Sequence, residues 1–304
     1  LDLRHYDVIL SSSHAVAKGV LATPQQLHLC YCHTPMRYAW DLTFDYLHQS
    51  RLGHGIPGIF TRYLLHRLRQ WDVLSANRVD HFIANSHFTA QRIWRCYRRQ
   101  ADVIYPPVNI DRFTCNPDKE DFYLTVCRQV GYKQVAPIVE AFNQNGKNLV
   151  VIGTGTELPR LQQIAKSNVK ILGYQSNSVV QDYLSRARAF VYAACEDFGI
   201  VLVEAQACGT PVIAYGLGGA AETVLDIRNY PDCGTGILFP TQTTAAILAA
   251  ISTFETYHQQ FQAEQIRAHA ESFADSVFRS QYLSLLDRYY HRWKSGTSNQ
   301  HSGV

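Results

Sequence analysis

No apolar run in this chain approaches the ~18–20 residues that a membrane-spanning helix needs. The longest, such as Ala189–Cys195 and Ala245–Ile251, are far shorter, which excludes a spanning helix. Charge is sparse too: charged residues make up 17%, and the net charge of +3 is too small to point to nucleic acid. The eight cysteines (Cys30, Cys32, Cys96, Cys115, Cys127, Cys195, Cys208 and Cys233) include no CxxC pair. Zinc ligation needs paired ligands at tighter, repeated spacings, so reduced and mostly buried thiols of a cytoplasmic protein are expected. No Asp-x-Asp pair occurs anywhere. Methionine appears once, as Met36, and the chain opens on Leu1 without the basic and apolar regions of a signal peptide. The chain therefore reads as a piece of a longer one.

What is present is a core-forming composition. Hydrophobic residues reach 46% of 304 residues, enough to offset ordering entropy, and the length suggests two domains at about 100–200 residues each. Strand-like runs and helical segments alternate along nearly the whole chain. The runs Tyr6–Ser11, Leu27–Cys32, Asp80–Ala84 and Asp102–Tyr105 are followed by Phe122–Cys127, Leu149–Gly153, Val169–Leu172, Arg188–Ala193, Pro211–Ala214 and Gly236–Phe239. They are short and continuous rather than alternating, as strands buried on both faces of a parallel sheet are. The fold class is therefore α/β with doubly wound sheets. Pro106-Pro107 favours an extended linker and marks a boundary, giving domains over 1–106 and 107–273. A long amphipathic helix over 274–294 and a polar, disordered tail over 295–304 complete the chain. The stretch Phe60–Trp71 places Arg62, His66 and Arg69 on one helical face, with Leu64, Leu65 and Leu68 on much of the rest. It reads as a core helix with a solvated face, or else as a basic surface facing lipid.

The most informative stretch is Glu196-Asp197-Phe198-Gly199-Ile200, running on to Glu204 and Gly209-Thr210-Pro211. Gly199 permits a sharp turn, a helix should start near Ile200, and Gly209 should end it. Glu204 then stands one turn into the helix, and Glu196 sits at the carboxyl end of a strand, where open α/β sheets bind ligands. The helix start offers free N–H groups and partial positive charge to a phosphate. Two carboxylates beside such a site suit a ligand carrying both phosphate and hydroxyls, that is, a nucleotide sugar. Ile152-Gly153-Thr154-Gly155 also follows a strand, but the third glycine of a dinucleotide fingerprint would fall at Leu158, so that reading fails.

The order Arg128…Lys133, Gly153-Thr154-Gly155, Leu172-Gly173-Tyr174, Glu196-x7-Glu204, Gly218-Gly219 and Glu222 resembles the retaining family-4 (group 1) glycosyltransferases of the GT-B fold. In the first half, His33-Thr34-Pro35-Met36-Arg37-Tyr38-Ala39-Trp40-Asp41 and Ala84-Asn85-Ser86-His87-Phe88-Thr89 match as well. The first of these blocks looks most like the bacterial GDP-mannose-dependent mannosyltransferases of surface polysaccharide synthesis. The resemblance implies two Rossmann-like domains facing a cleft. The N-terminal one would lack about three strands and a Gly-rich loop, leaving an inner strand edge bare. It implies retaining transfer of a hexose, mannose by this likeness, from a nucleotide-diphosphate sugar such as GDP-mannose to a saccharide or lipid-linked acceptor. No metal or other cofactor is expected. Arg128 and Lys133 would hold the diphosphate, Glu196 the hexose and Glu204 the ribose. Backbone groups of Phe198, Gly199, Ile200 and Val201 would meet the sugar and diphosphate. Gly153 and Gly155 would line the donor site, and Gly173-Tyr174 would read the base. His33 would face the donor sugar from the other domain. The resemblance places the protein in the cytoplasm, peripheral at the inner membrane face. A non-catalytic nucleotide-sugar-binding fragment of such an enzyme remains the alternative, because of the absent N-terminal stretch.

Overall fold

The computed structural model describes residues 2–41, 43, 44, 47 and 55–301. It divides into two compact units, one reaching to Tyr105 and resuming at Ser280, the other Pro106–Arg279. The first unit holds strands β1 (Val8–Ser13), β2 (Leu27–Cys32), β3 (His81–Ala84) and β4 (Ala101–Val103). They form one sheet in the order β1-β2-β3-β4, all parallel. Helices α1 (Gly55–Ala76) and α2 (His87–Tyr97) connect them. Ser86 caps α2, its hydroxyl accepting the Thr89 N–H at 2.9 Å. Every residue of β2 is buried, and Cys30, Cys32, Phe82, Ala84, Ile93 and Tyr97 pack as a core.

Strand β1 begins and ends two residues later than the apolar run suggested, because its inward positions after Ile9 are serines. Ser11 and Ser13 are buried, and each is hydrogen-bonded: Ser11 Oγ lies 2.8 Å from His28 Nε2, and Ser13 Oγ accepts the Lys18 N–H at 3.2 Å. Beneath them lies a buried ion pair between Lys18 and Asp72. Trp40 Nε1 and the Tyr97 hydroxyl each donate to Asp72 Oδ2 at 2.8 Å. A pair of this kind is tolerated only with such additional donors. Helix α1 also departs from the sequence reading. Arg69 turns inward and donates to the Ala39 carbonyl at 2.9 Å. Arg62, His66 and Arg67 are exposed as the sequence suggests, but Ile59, Phe60, Tyr63, Leu64 and Leu74 stand exposed as well, so the outward face mixes apolar and basic side chains.

The second unit carries β5 (Tyr123–Val126), β6 (Leu149–Ile152), β7 (Val169–Gly173), β8 (Ala189–Tyr192), β9 (Val212–Tyr215) and β10 (Gly236–Phe239). Between them run α3 (Val135–Asn145), α4 (Leu158–Ile164), α5 (Asn177–Arg186), α6 (Ile200–Ala207), α7 (Ala220–Thr223) and α8 (Thr244–Tyr257). Helix α9 (Ala263–Ala270) and the start of α10 (Asp275–His301) follow. The parallel sheet runs β10-β9-β8-β5-β6-β7. Tyr123, Leu149, Val151, Val191 and Ile213 from the strands meet Phe142 of α3 and Phe254 of α8 in one core. Each such side chain, fully buried, stabilises by roughly 1.5–3 kcal/mol.

The chain moves outward from β5 through β6 and β7, then returns to the other side of β5 as β8. Strand order therefore reverses between β5 and β8, and a crevice opens at the carboxyl ends of these two strands. The expected disordered tail over 295–304 is corrected in part. Helix α10 continues to His301, and Ser295 Oγ donates back to the Arg292 carbonyl at 2.9 Å. Polar residues do not by themselves stop a helix that is already nucleated. Residues 302–304 of that tail lie outside the described residues.

Candidate functional site

The loops leaving β5 and β8 meet at the reversal point. After β5 the chain passes Cys127 and Arg128 to a tight turn at Gly131–Lys133, and Gln134 opens α3 in the left-handed region at φ 54°. After β8 it passes Ala193–Asp197 to Gly199, whose φ of 86° turns the chain into α6. These two loops bring Lys133 against Glu196. The Lys133 ammonium pairs with Glu196 Oε1, the Tyr192 hydroxyl lies 2.8 Å from the same oxygen, and Lys133 Nζ is 3.1 Å from the Tyr192 hydroxyl. Arg128 is exposed and makes no side-chain hydrogen bond or ion pair among the described residues. Burial, with the Glu196 charge beside it, pushes the Tyr192 phenol far up, so it remains a hydrogen-bond donor. Burial likewise pushes the neighbouring Cys127 thiol up to about 12, which keeps it from acting as a thiolate nucleophile.

Glu204 stands one turn along α6, half-buried. Burial raises its carboxyl above the usual range, and the Arg112 guanidinium opposes that shift. Arg112 was not singled out from the sequence; it lies in a short 3-10 turn, Ile110–Arg112, far from the motif in the chain. Ile200 is exposed at the start of α6, and Val201 is half-buried. As the first helical residues, they have N–H groups without an acceptor inside the helix. The N-cap residue is Gly199, which has no side chain to cap this helix start. Phe198 is different: its ring is buried and packs edge-on against Phe273, with centroids 5.7 Å apart.

The glycines sort into two kinds. Gly153 and Gly155, expected to line the donor site, also let the Arg128 loop pack closely. A Cβ on Gly153 would lie 1.9 Å from the Cys127 carbonyl oxygen, and one on Gly155 2.1 Å from that of Gln129. The Gln129 N–H in turn donates to the Thr154 carbonyl at 2.9 Å. Gly218-Gly219 does the same for the Glu196 loop. The Gly219 N–H donates to the Glu196 carbonyl at 2.9 Å, and a Cβ there would lie 1.9 Å from the Phe198 carbonyl oxygen. Gly173 is of the other kind. At φ 68° with open space around it, it ends β7 and leaves the Tyr174 ring 78% exposed.

The structure thus brings Arg128, Lys133, Glu196, Ile200, Val201 and Glu204 to one end of the second sheet. His33 belongs to the first unit, at the end of β2. Its Nε2 lies 2.8 Å from Ser12 Oγ, and its ring packs edge-on to Tyr31 at 5.2 Å. Much of the block that follows it is structural: Met36 is fully buried, Trp40 donates to Asp72, and Asp41 Oδ1 accepts from Arg92 at 2.7 Å. Among the described residues, no group of three His, Cys, Asp or Glu is placed to hold a metal ion. Nor is any helix long and apolar enough to cross a membrane.

Residues 109–271 match the family described as glycosyl transferases group 1, and residues 1–112 match glycosyltransferase family 4. An uncharacterized glycosyltransferase of Methanocaldococcus jannaschii is 30% identical over 49% of this chain and 44% of its own length. The chain thus spans less than half of that curated relative. An alpha-1,3/1,6-mannosyltransferase of Kluyveromyces lactis is 22% identical over 96% of the chain and 67% of its own length. Among solved structures, a sucrose-phosphate synthase from Thermosynechococcus elongatus superposes with a TM-score of 0.74 at 20% identity, covering 95% of this chain and 75% of that one. The likeness identifies the fold as GT-B.

Proposed function

The chain belongs to the group 1 glycosyl transferases, and from that premise we propose that it moves a hexose from a nucleotide-diphosphate sugar to a saccharide or lipid-linked acceptor. The observation that carries this reading is the convergence of Lys133, Glu196 and the glycine-led start of α6 at the β5/β8 reversal. A cation and free N–H groups suit a diphosphate, and flanking carboxylates suit hydroxyls. Arg128 and Lys133 neutralise the charge that grows on the leaving diphosphate, so the reaction does not need a divalent ion in this role. Glu204 binds the ribose, Glu196 the hexose, and the backbone around Gly173-Tyr174 the base.

The reaction retains configuration. The bond from the anomeric carbon to the phosphate oxygen breaks, and a bond to the acceptor oxygen forms on the same face. The acceptor proton passes to the departing phosphate oxygen, releasing the nucleoside diphosphate. Mannose from GDP-mannose is the sugar favoured by the HTPMRYAWD block and by the mannosyltransferase relative. The protein works at the inner face of a membrane, and α1 supports that placement. Exposed Ile59, Phe60, Tyr63 and Leu64 form an apolar strip, and no acidic residue occurs between Gly55 and Trp71 while exposed Arg62 and Arg67 do. Calorimetric titration of the chain with GDP in the presence of a chelator tests the donor reading. Binding is expected; uptake of GDP only with magnesium or manganese refutes the metal-free role, and tighter UDP binding refutes the GDP assignment.

A further inference from the structure

We propose that Tyr192 is a positioning residue that keeps the Glu196 carboxylate in place when Lys133 turns from it to the diphosphate, and that it thereby favours sugar nucleotide over bare nucleoside diphosphate. The proposal rests on the donor-site reading above. Its own ground is the division of labour between the two oxygens of Glu196. Both Lys133 Nζ and the Tyr192 hydroxyl, the latter at 2.8 Å, bond to Oε1. Oε2 makes no hydrogen bond among the described residues, so it is the oxygen left to accept from a ligand hydroxyl. The backbone of Glu196 is pinned separately, by the Gly219 N–H on its carbonyl at 2.9 Å.

A single ammonium cannot serve both partners at full strength. When a diphosphate arrives with its larger charge, Lys133 is drawn toward it. Without another donor, a half-buried carboxylate would then lose its anchor at the moment the hexose needs it. Tyr192 supplies that donor. Its ring is buried on β8, which leaves its hydroxyl little freedom. Burial and the Glu196 charge both keep the phenol protonated, so the donor persists across the working pH range. Lys133 Nζ, at 3.1 Å from the same hydroxyl, can move while the tyrosine–glutamate contact stays. Nothing in the sequence pattern marks Tyr192, which lies within an apolar run that reads as core.

The test compares GDP-mannose with GDP by calorimetry, without acceptor, on the full chain and on Tyr192→Phe. The expected result is a loss of about tenfold in GDP-mannose affinity, the scale of one hydrogen bond to a charged group, with GDP affinity within about twofold of the original. In a Glu196→Gln background, the same substitution should change GDP-mannose affinity little, since it acts through the carboxylate. Equal weakening of both ligands would mean a merely structural tyrosine and overturns the proposal. Unchanged affinity for both overturns it as well, and so does a full tenfold loss in the Glu196→Gln background. If the unaltered chain binds neither GDP, UDP nor their mannose or glucose derivatives, the donor-site reading itself falls and takes this assignment with it.

Discussion

Replacing Lys133 by alanine separates what the ammonium does for the fold from what it does for the ligand. In the structure it bonds to Glu196 Oε1 and stands 3.1 Å from the Tyr192 hydroxyl. Its removal leaves the Glu196 carboxylate, whose side chain is 20% exposed, with Tyr192 as its remaining side-chain donor. Exposed ion pairs contribute about 0.2–1 kcal/mol, and breaking a fully buried one costs about 3–5 kcal/mol. A pair of intermediate burial should therefore cost about 1–2 kcal/mol, or about 3–6 °C in the Tm of the second unit. Adding Glu196→Gln removes the orphaned charge and should restore most of that loss. Ligand effects follow a different pattern. Loss of a charge-assisted contact to the leaving diphosphate should cost about 2–4 kcal/mol in the transition state, roughly a hundredfold in rate. GDP should weaken far more than guanosine, which has no phosphate. Scanning calorimetry on the single and double variants, with titrations of both ligands, reads all of these. Equal weakening of GDP and guanosine, or a double variant no more stable than Lys133→Ala, refutes the reasoning.

Three further outcomes are expected. Gly219→Ala, whose Cβ would lie 1.9 Å from the Phe198 carbonyl oxygen, should destabilise by about 2–4 kcal/mol. Gly146→Ala, at φ 72° in open space, should cost only about 1 kcal/mol, and urea midpoints that rank the two in reverse would contradict the backbone packing. Burial holds His28 and His269 below their ordinary values, so the unfolded chain takes up more protons than the folded one below about pH 6.5. Their contribution to stability is full above that pH and is lost as the pH falls, so a denaturant midpoint at pH 5.5 equal to that at pH 7.5 would be the wrong result. Finally, Phe60→Ser with Tyr63→Ser should lower sedimentation with phosphatidylglycerol vesicles at least about tenfold at unchanged Tm, whereas equal sedimentation of both proteins would remove α1 from the membrane surface.

The parts of the site that were legible in the sequence were those set by local geometry. Helix periodicity alone places Glu204 one turn beyond Ile200, and Gly199 announces the turn that starts α6. Strands Leu27–Cys32 and Gly236–Phe239 fall where their apolar runs begin and end. What was not legible depends on residues distant in the chain. The Lys133–Glu196 pair exists because β8 returns beside β5, a fact of topology rather than of spacing. The Lys18–Asp72 pair and the inward serines of β1 support one another in the folded unit, yet each reads as polar surface in isolation. Gly153 and Gly155 carry a second demand that the sequence does not show: the backbone of Cys127 and Gln129 packs where a side chain would stand.

Helix α10 has a consequence for how the protein is made. Its first turns belong to the second unit, but from Ser280 on it packs in the first. There Tyr289 stacks on His81 with centroids 3.6 Å apart, Arg288 reaches Asp102 at 3.1 Å, and Tyr282 meets Tyr31 edge-on at 6.3 Å. These partners leave the ribosome only after the whole of the second unit has been synthesised. The unit that is translated first is therefore the last to complete its packing. Its sheet must wait, partly uncovered, while its neighbour folds. A chain ending at Arg279 and freed from the ribosome would carry the whole second unit and a first unit still lacking its closing helix, the state in which a chaperone has most to protect.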